Sequence, residues 1–152
     1  MVDWAPRTFV KAGLLWLGGG VTLGLAMAIV PAWVVYRPAH VHMNLLGFVA
    51  MTIFGVGYQI LPRMMGYGLF SPRLAVAHWW LANVGLFFMV AGFFLRPSEP
   101  SSGAAILISG GVLQSAGAYF FAFNLFRSMQ QPGGARTRGP QSWPLPVITQ
   151  AE

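Results

Sequence analysis

Four long stretches without a charged side chain dominate this sequence. An α-helix needs about 20 mostly apolar residues to cross the hydrocarbon core of a bilayer, and each of these stretches is longer than that. Only 8% of the whole chain is charged, against 56% hydrophobic, so a soluble domain of this composition would lack a polar surface. The stretches are 12–36, 39–61, 74–95 and 103–126.

The fold class follows from the solvent that such stretches require. Lipid offers no partner to backbone polar groups, so a spanning segment is a helix or part of a closed barrel. The alternation of apolar and polar residues that a barrel strand needs is absent. Short breaks containing Pro and Arg separate the stretches, which favours antiparallel neighbours. The sequence therefore predicts an all-α protein, an up-down antiparallel bundle of four transmembrane helices within residues 1–129. Residues 130–152 lack an apolar period and are predicted to form a mobile cytoplasmic tail.

Basic residues are distributed unevenly between the two ends of the predicted bundle. Arg37 and Arg96 lie on one side, and seven basic residues lie on the side of the N-terminus. The seven are Arg7, Lys11, Arg63, Arg73, Arg127, Arg136 and Arg138. The positive-inside rule then places both termini of this multi-pass protein in the cytoplasm of a bacterial-type inner (cytoplasmic) membrane. Because these charges are scattered over segment ends, we expect no nucleic-acid partner.

The first stretch has an alternative interpretation as a cleaved signal peptide. Arg7 and Lys11 precede an apolar run that contains the small-residue sequence 26–28, a possible cleavage site. The apolar run continues beyond that site, however, and cleavage would leave three helices. We therefore favour a transmembrane helix.

Small residues recur four positions apart on two of the predicted helices. Gly20, Gly24 and Ala28 lie on the first, and Gly111 and Ser115 lie on the fourth. Such spacing allows close contact between helices in lipid. Since four helices enclose little interior, we expect membrane lipid and further copies of the chain as partners, giving a homo-oligomer.

The three histidines are the main candidates for chemistry. The chain has no cysteine, which excludes thiolate metal sites and covalent haem attachment. An ionisable side chain in a membrane segment is a functional candidate by default. His40 and His42 open the second helix, and two positions correspond to a rotation of about 200°. The two imidazoles should therefore face opposite sides and serve two partners, unless both are interfacial residues solvated by headgroups and water.

His78 lies near the start of the third helix, at the opposite end of the bundle. About 20 Å of membrane would separate it from His42, so the two cannot bind one metal ion. A packing residue that is hydrogen-bonded inside the bundle is the favoured interpretation of His78, and an axial ligand is the minor one. Met27 and Met89 lie on the same side as His42 and could each offer a thioether to a haem iron.

About a third of the chain resembles helices ten and eleven of subunit I of haem-copper oxidases, especially the cbb3-like branch. The resemblance is carried by three motifs, His40-Val41-His42, Leu61-Pro62-Arg63 and His78-Trp79-Trp80-Leu81. A shorter stretch, 42–46, is similar to the low-spin haem helix of nitric oxide reductases.

The resemblance implies roles for the histidines. His40 matches the ligand of the high-spin haem, His42 matches the ligand of the low-spin haem, and His78 matches a histidine that binds no haem. The family's copper site and its second low-spin ligand use histidines on other helices, and this chain has only three. We therefore expect haem b, no copper and no complete oxidase.

Two functions are compatible with these features. The leading prediction is an integral membrane protein that binds haem b and acts in electron transfer or in sensing nitric oxide or oxygen, with a possible partner in a respiratory chain. The alternative is a haem-free accessory or assembly subunit of a larger respiratory oxidase or reductase.

Overall fold

The computed structural model describes residues 4–66 and 68–130. Within them the chain is helical without strands, and four helices are long and apolar enough to cross a membrane. These are Trp4–Ile29, Pro31–Met64, Pro72–Leu95 and Pro100–Met129, called here the first to the fourth span. The prediction of an all-α protein with four transmembrane helices is confirmed. Apart from Gln130, the predicted tail lies outside the described residues.

The boundary between the first and second spans differs from the sequence-based one. The first helix ends at Ile29, and Val30 is extended, with φ −119° and ψ 91°. Pro31 explains this, because its ring disfavours a helical conformation in the preceding residue and it has no N–H to donate. Residues 31–36, assigned above to the first helix, instead open the second span as the 3₁₀ helix Pro31–Tyr36.

The second span changes its helical type three times. After the 3₁₀ turn it continues as the α-helix Arg37–His42, the π-helix Met43–Ala50 and the α-helix Met51–Met65. Arg37 and Pro38, expected to form a break, begin the α-helical part, where the missing N–H of a proline has no intrahelical partner to lose. The π-helix is notable because such turns are rare and often accompany functional sites. It begins directly after His42.

The third and fourth spans pack backbone to backbone along a line of glycines. A Cβ atom built on Gly85 would lie 2.9 Å from the carbonyl oxygen of Gly110, and one on Gly92 would lie 2.9 Å from that of Gly103. Small residues permit this approach in lipid, where dispersion contacts drive helix association. Gly111, which the four-residue spacing had suggested, is different, because a Cβ there would meet nothing within 4 Å. The residue of the fourth span that packs against the third span is Gly110, next to Gly111 in the sequence. The contacting glycines are seven residues apart on each of the two helices.

The buried side chains concentrate at one end of the bundle. We call it the basic end, because the described basic residues of the N-terminal side lie there. Fully buried Phe9, Met51 and His78 come from the first three spans, and nearly buried Tyr58 joins them. This end therefore has a packed core, whereas most other large apolar side chains face outwards.

Substitution of Gly110 should destabilise the bundle. A Cβ atom there would lie 2.5 Å from the backbone nitrogen of Met89, and backbone cannot move away as a flexible side chain can. Gly110→Ala should cost about 1–3 kcal/mol. Gly111→Ala is the matched control, because its Cβ enters open space and alanine favours a helix. Thermal unfolding in detergent, followed by helical circular dichroism, should show a lower midpoint for the first variant only. Equal midpoints would contradict the glycine contact.

Candidate functional site

His40 points from the second span into the first. Its Nδ1 donates a hydrogen bond to the carbonyl oxygen of Gly20 at 2.7 Å. The ring lies directly over Gly24, since a Cβ on that residue would be only 2.7 Å from Cε1 of His40. The missing side chain at Gly24 therefore leaves room for this imidazole between the helices, and the backbone of Gly20 holds it there.

Asn44, one turn after His40, supports the same contact. Its amide nitrogen donates to the carbonyl oxygen of His40 at 2.8 Å, and its side chain lies over Gly20. Deeper in the membrane the second span provides the glycine and the first span the side chain, because Trp16 packs over Gly47. The first span and the π-helix thus interlock through glycines on both sides.

His42 points in a different direction, towards the third span. Its ring packs against Phe93 with the two ring centres 4.8 Å apart. Nδ1 of His42 donates to the carbonyl oxygen of Pro38, one turn earlier, at 2.8 Å. The side chain is half-buried. Sequence spacing had predicted opposite faces for His40 and His42, and the structure places them against different helices.

The hydrogen bonds fix the tautomer of both imidazoles. A carbonyl oxygen can only accept, so Nδ1 of His40 and Nδ1 of His42 must each carry the proton. In the neutral ring, Nε2 then keeps its lone pair. This is the form in which histidine binds metals, with the other ring nitrogen held by a carbonyl or carboxylate. The two residues therefore carry two separate Nε2 donors, one beside the first span and one beside the third.

His78 lies at the basic end in an aromatic cage. It is fully buried, and its Nδ1 is hydrogen-bonded to the hydroxyl of Tyr58 at 3.0 Å. The rings of Phe54, Phe9 and Phe121 surround it, with ring centres at 4.6, 4.8 and 5.6 Å. His78 is thus hydrogen-bonded inside the bundle, while its Nε2 is buried without a partner among the described residues.

The other residues singled out as candidate ligands do not gather around one point. Met89 packs against the fourth span, where its backbone nitrogen and Cγ border Gly110. Met27 is half-buried near the end of the first span. Over residues 4–66 and 68–130, no three His, Asp or Glu side chains come close enough to hold a metal ion.

Two side chains of these sites were not found from the sequence. Phe93 packs on His42, and Tyr58 binds His78. The second pair could have been found by matching depth. Tyr58 lies seven residues before the helix end at Met65 and His78 six residues after the helix start at Pro72, so antiparallel helices place them at similar levels. The contact between Phe93 and His42 could not be predicted in this way, because the same helix contains several other phenylalanines.

An apolar cavity of about 590 Å³ lies beside the first span, within the usual size range of ligand pockets. Its walls come from the first three spans. They include Lys11, Leu15, Trp16, Met43, Trp79 and Asn83. Neither His40 nor His42 borders it, so the cavity is separate from the histidine donors.

Comparison with known proteins relates this chain to subunit I of respiratory oxidases. The sequence model of the family described as cytochrome c and quinol oxidase polypeptide I matches residues 2–97, which hold the first three spans. Cytochrome c oxidase subunit 1 of Rhodobacter capsulatus is 44% identical over 48 residues, covering 31% of this chain and 9% of that protein.

Two further relatives match over longer stretches. The cbb3-type cytochrome c oxidase subunit CcoN1 of Stutzerimonas stutzeri is 27% identical over 118 residues, covering 60% of this chain and 24% of that protein. The cytochrome c oxidase subunit 1 homolog of Agrobacterium tumefaciens (strain T37) is 30% identical over 138 residues, covering 74% and 25%. The chain thus spans a quarter or less of the length of each relative.

Removing the hydroxyl of Tyr58 should destabilise the basic end. Tyr58→Phe leaves buried His78 without its hydrogen-bond partner, which should cost about 1–3 kcal/mol because the imidazole stays out of solvent. Tyr119→Phe makes the same chemical change on a side chain that is 74% exposed and should have no effect. The thermal midpoint in detergent measures both. A Tyr58→Phe protein as stable as the control would show that the hydrogen bond contributes nothing.

Proposed function

Because this chain belongs to the cytochrome c and quinol oxidase polypeptide I family, we propose that it is a membrane protein that binds haem b non-covalently through His42. Its function would be electron transfer or the sensing of nitric oxide or oxygen. The observation that carries the proposal is the pair of histidines whose Nδ1 atoms are both held by backbone carbonyls.

The donor set of His42 fits a haem iron. Imidazole is a common ligand of haem iron, and the hydrogen bond from Nδ1 to the carbonyl oxygen of Pro38 holds the ring in one orientation. Phe93 supports one side of the ring and restricts its rotation. A half-buried position leaves Nε2 reachable by a group that enters from outside the four-helix unit.

His40 fits a haem less well than His42. Its ring already lies between the first and second spans over Gly24, so a porphyrin on this face would have to separate two packed helices. Its role is therefore a second site that forms only when the helices part, or support of the first site through the contact with Gly20.

A bound haem would supply a one-electron redox centre, or an iron with an open position for a gas. The residues of this chain bind it and orient it. His42 provides the lone pair, Pro38 holds the proton on Nδ1, and Phe93 keeps water from one face of the ring. Met27, Met89 or His42 of a second copy of the chain would provide a second ligand to the iron.

Other features of the proposal concern cellular context. Both termini would face the cytoplasm, because the basic end carries most of the positive charge. A respiratory-chain protein is the proposed partner. We expect no copper and no complete oxidase reaction, since His40, His42 and His78 are the only histidines.

The competing proposal is a haem-free accessory or assembly subunit of a larger respiratory oxidase or reductase. It is favoured by the position of His40, whose ring is already enclosed between the first and second spans over Gly24. The two proposals differ in whether the protein, purified after expression in haem-replete cells, has a visible absorption band.

Replacing the imidazole of His42 should remove the haem. We expect His42→Ala to lose the Soret band, while His78→Ala, which changes a residue at the other end of the bundle, should mostly keep it. Both variants are checked for helicity by circular dichroism before their spectra are compared. Identical Soret bands in the wild type and in a folded His42→Ala protein would end the assignment of this ligand.

The haem-to-protein ratio should identify the second ligand. In a two-fold dimer the same residue approaches the axis from both chains, so two copies of His42 could share one haem. We favour this arrangement because a unit of only four helices offers a porphyrin little shelter from the surrounding lipid. One haem per two chains, lost on dilution to monomer, is the expected result from iron analysis combined with light scattering. A monomer carrying one six-coordinate haem would instead indicate a ligand from the same chain, such as a methionine.

A further inference from the structure

Two cationic side chains lie one helical turn apart on the first span near the basic end. Arg7 and Lys11 are both exposed, and positions i and i+4 share a helix face. Glu99 is the one acidic residue in the described ranges, and it lies at the opposite end of the bundle. Within those ranges neither cation has an acidic partner, so no described carboxylate competes with an external anion for Lys11 or Arg7.

Apolar cavities lie on both sides of Lys11. The larger, of about 590 Å³, extends along the first span to Trp16 and Met43. The smaller, of about 330 Å³, lies between the first and second spans and is lined by Arg7, Val56 and Gln59 among others. Lys11 borders both cavities, and Arg7 borders the smaller one.

The larger cavity opens towards the surrounding lipid. Leu15, one of its lining residues, is 79% exposed. Nearby, Trp4 is 46% exposed and packs edge-on against Trp79, another lining residue. Tryptophan is enriched at the level of the lipid headgroups. Lys11 is seven residues deeper than Trp4, about 10 Å along the helix, so its ammonium group can extend back towards the headgroup level while its methylene groups stay in the cavity.

We propose that Lys11, together with Arg7, binds the phosphate of an anionic phospholipid, with one acyl chain in each of the two cavities. Charge complementarity selects the headgroup. The position of Lys11 between two apolar cavities matches a molecule with one anionic head and two chains, whereas a quinone has a neutral head and one chain. The site is independent of His40 and His42, which border neither cavity, so it stands whether or not the protein binds haem.

The test is lipid titration of the full chain in detergent, followed by native mass spectrometry. Phosphatidylglycerol should be retained in preference to phosphatidylcholine of the same acyl chains. Lys11→Gln should weaken retention of phosphatidylglycerol roughly five-fold, the usual contribution of one basic residue near an anionic membrane surface. Arg73→Gln removes the same charge at the same end without bordering either cavity, and it should bind like the wild type. Lys11→Arg should restore retention, which shows that a loss in Lys11→Gln comes from charge.

Several results would overturn the proposal. Equal retention of the two lipids would exclude recognition of the headgroup charge. Equal losses in Lys11→Gln and Arg73→Gln would show that only the summed charge of the basic end matters. Competition by glycerol 3-phosphate at the same concentration as the lipid would identify a site for free phosphate. Displacement of bound phosphatidylglycerol by a short-chain quinone at equal concentration would make a quinone the better occupant.

Discussion

Contact between the glycines of the first span and the second span determines where the polar side chains of this protein point. His40 and Asn44 can lie against the first helix only because Gly24 and Gly20 have no Cβ atom there. With His40 held on that side, the helical repeat turns His42 towards the third span and Phe93. One packing contact therefore decides the direction of both imidazoles.

The changes of helical type in the second span also affect how its side chains are directed towards the neighbouring helices. Pro31 ends the first helix and lets the chain reverse at Val30 alone, which keeps the two helices adjacent from their first turn. A π-helix closes i to i+5 hydrogen bonds, so Met43–Ala50 rotates the following residues relative to a continuous α-helix. That rotation contributes to the direction of Tyr58, which meets His78 in the core of the basic end.

Hydropathy and charge were enough to predict the four spans, because lipid imposes the same length and apolar character on every helix that crosses it. The divergence of His40 and His42 also followed from the sequence, since it depends only on the helical repeat. Hydropathy could not locate the reversal at Val30, where apolar residues continue on both sides. Nor could spacing choose between Gly110 and Gly111, because the rotation of a helix about its axis depends on which neighbour it packs against.

Haem binding by this protein is proposed on two histidines at one end of the second span, each held by a backbone carbonyl. The most direct measurement is the haem content of the wild-type chain, purified in mild detergent from haem-replete cells and assayed as the pyridine haemochrome. We expect the spectrum of haem b, at one haem for each chain or for each pair of chains. Protein that is folded, helical and free of haem after such expression would contradict it and favour the accessory-subunit proposal.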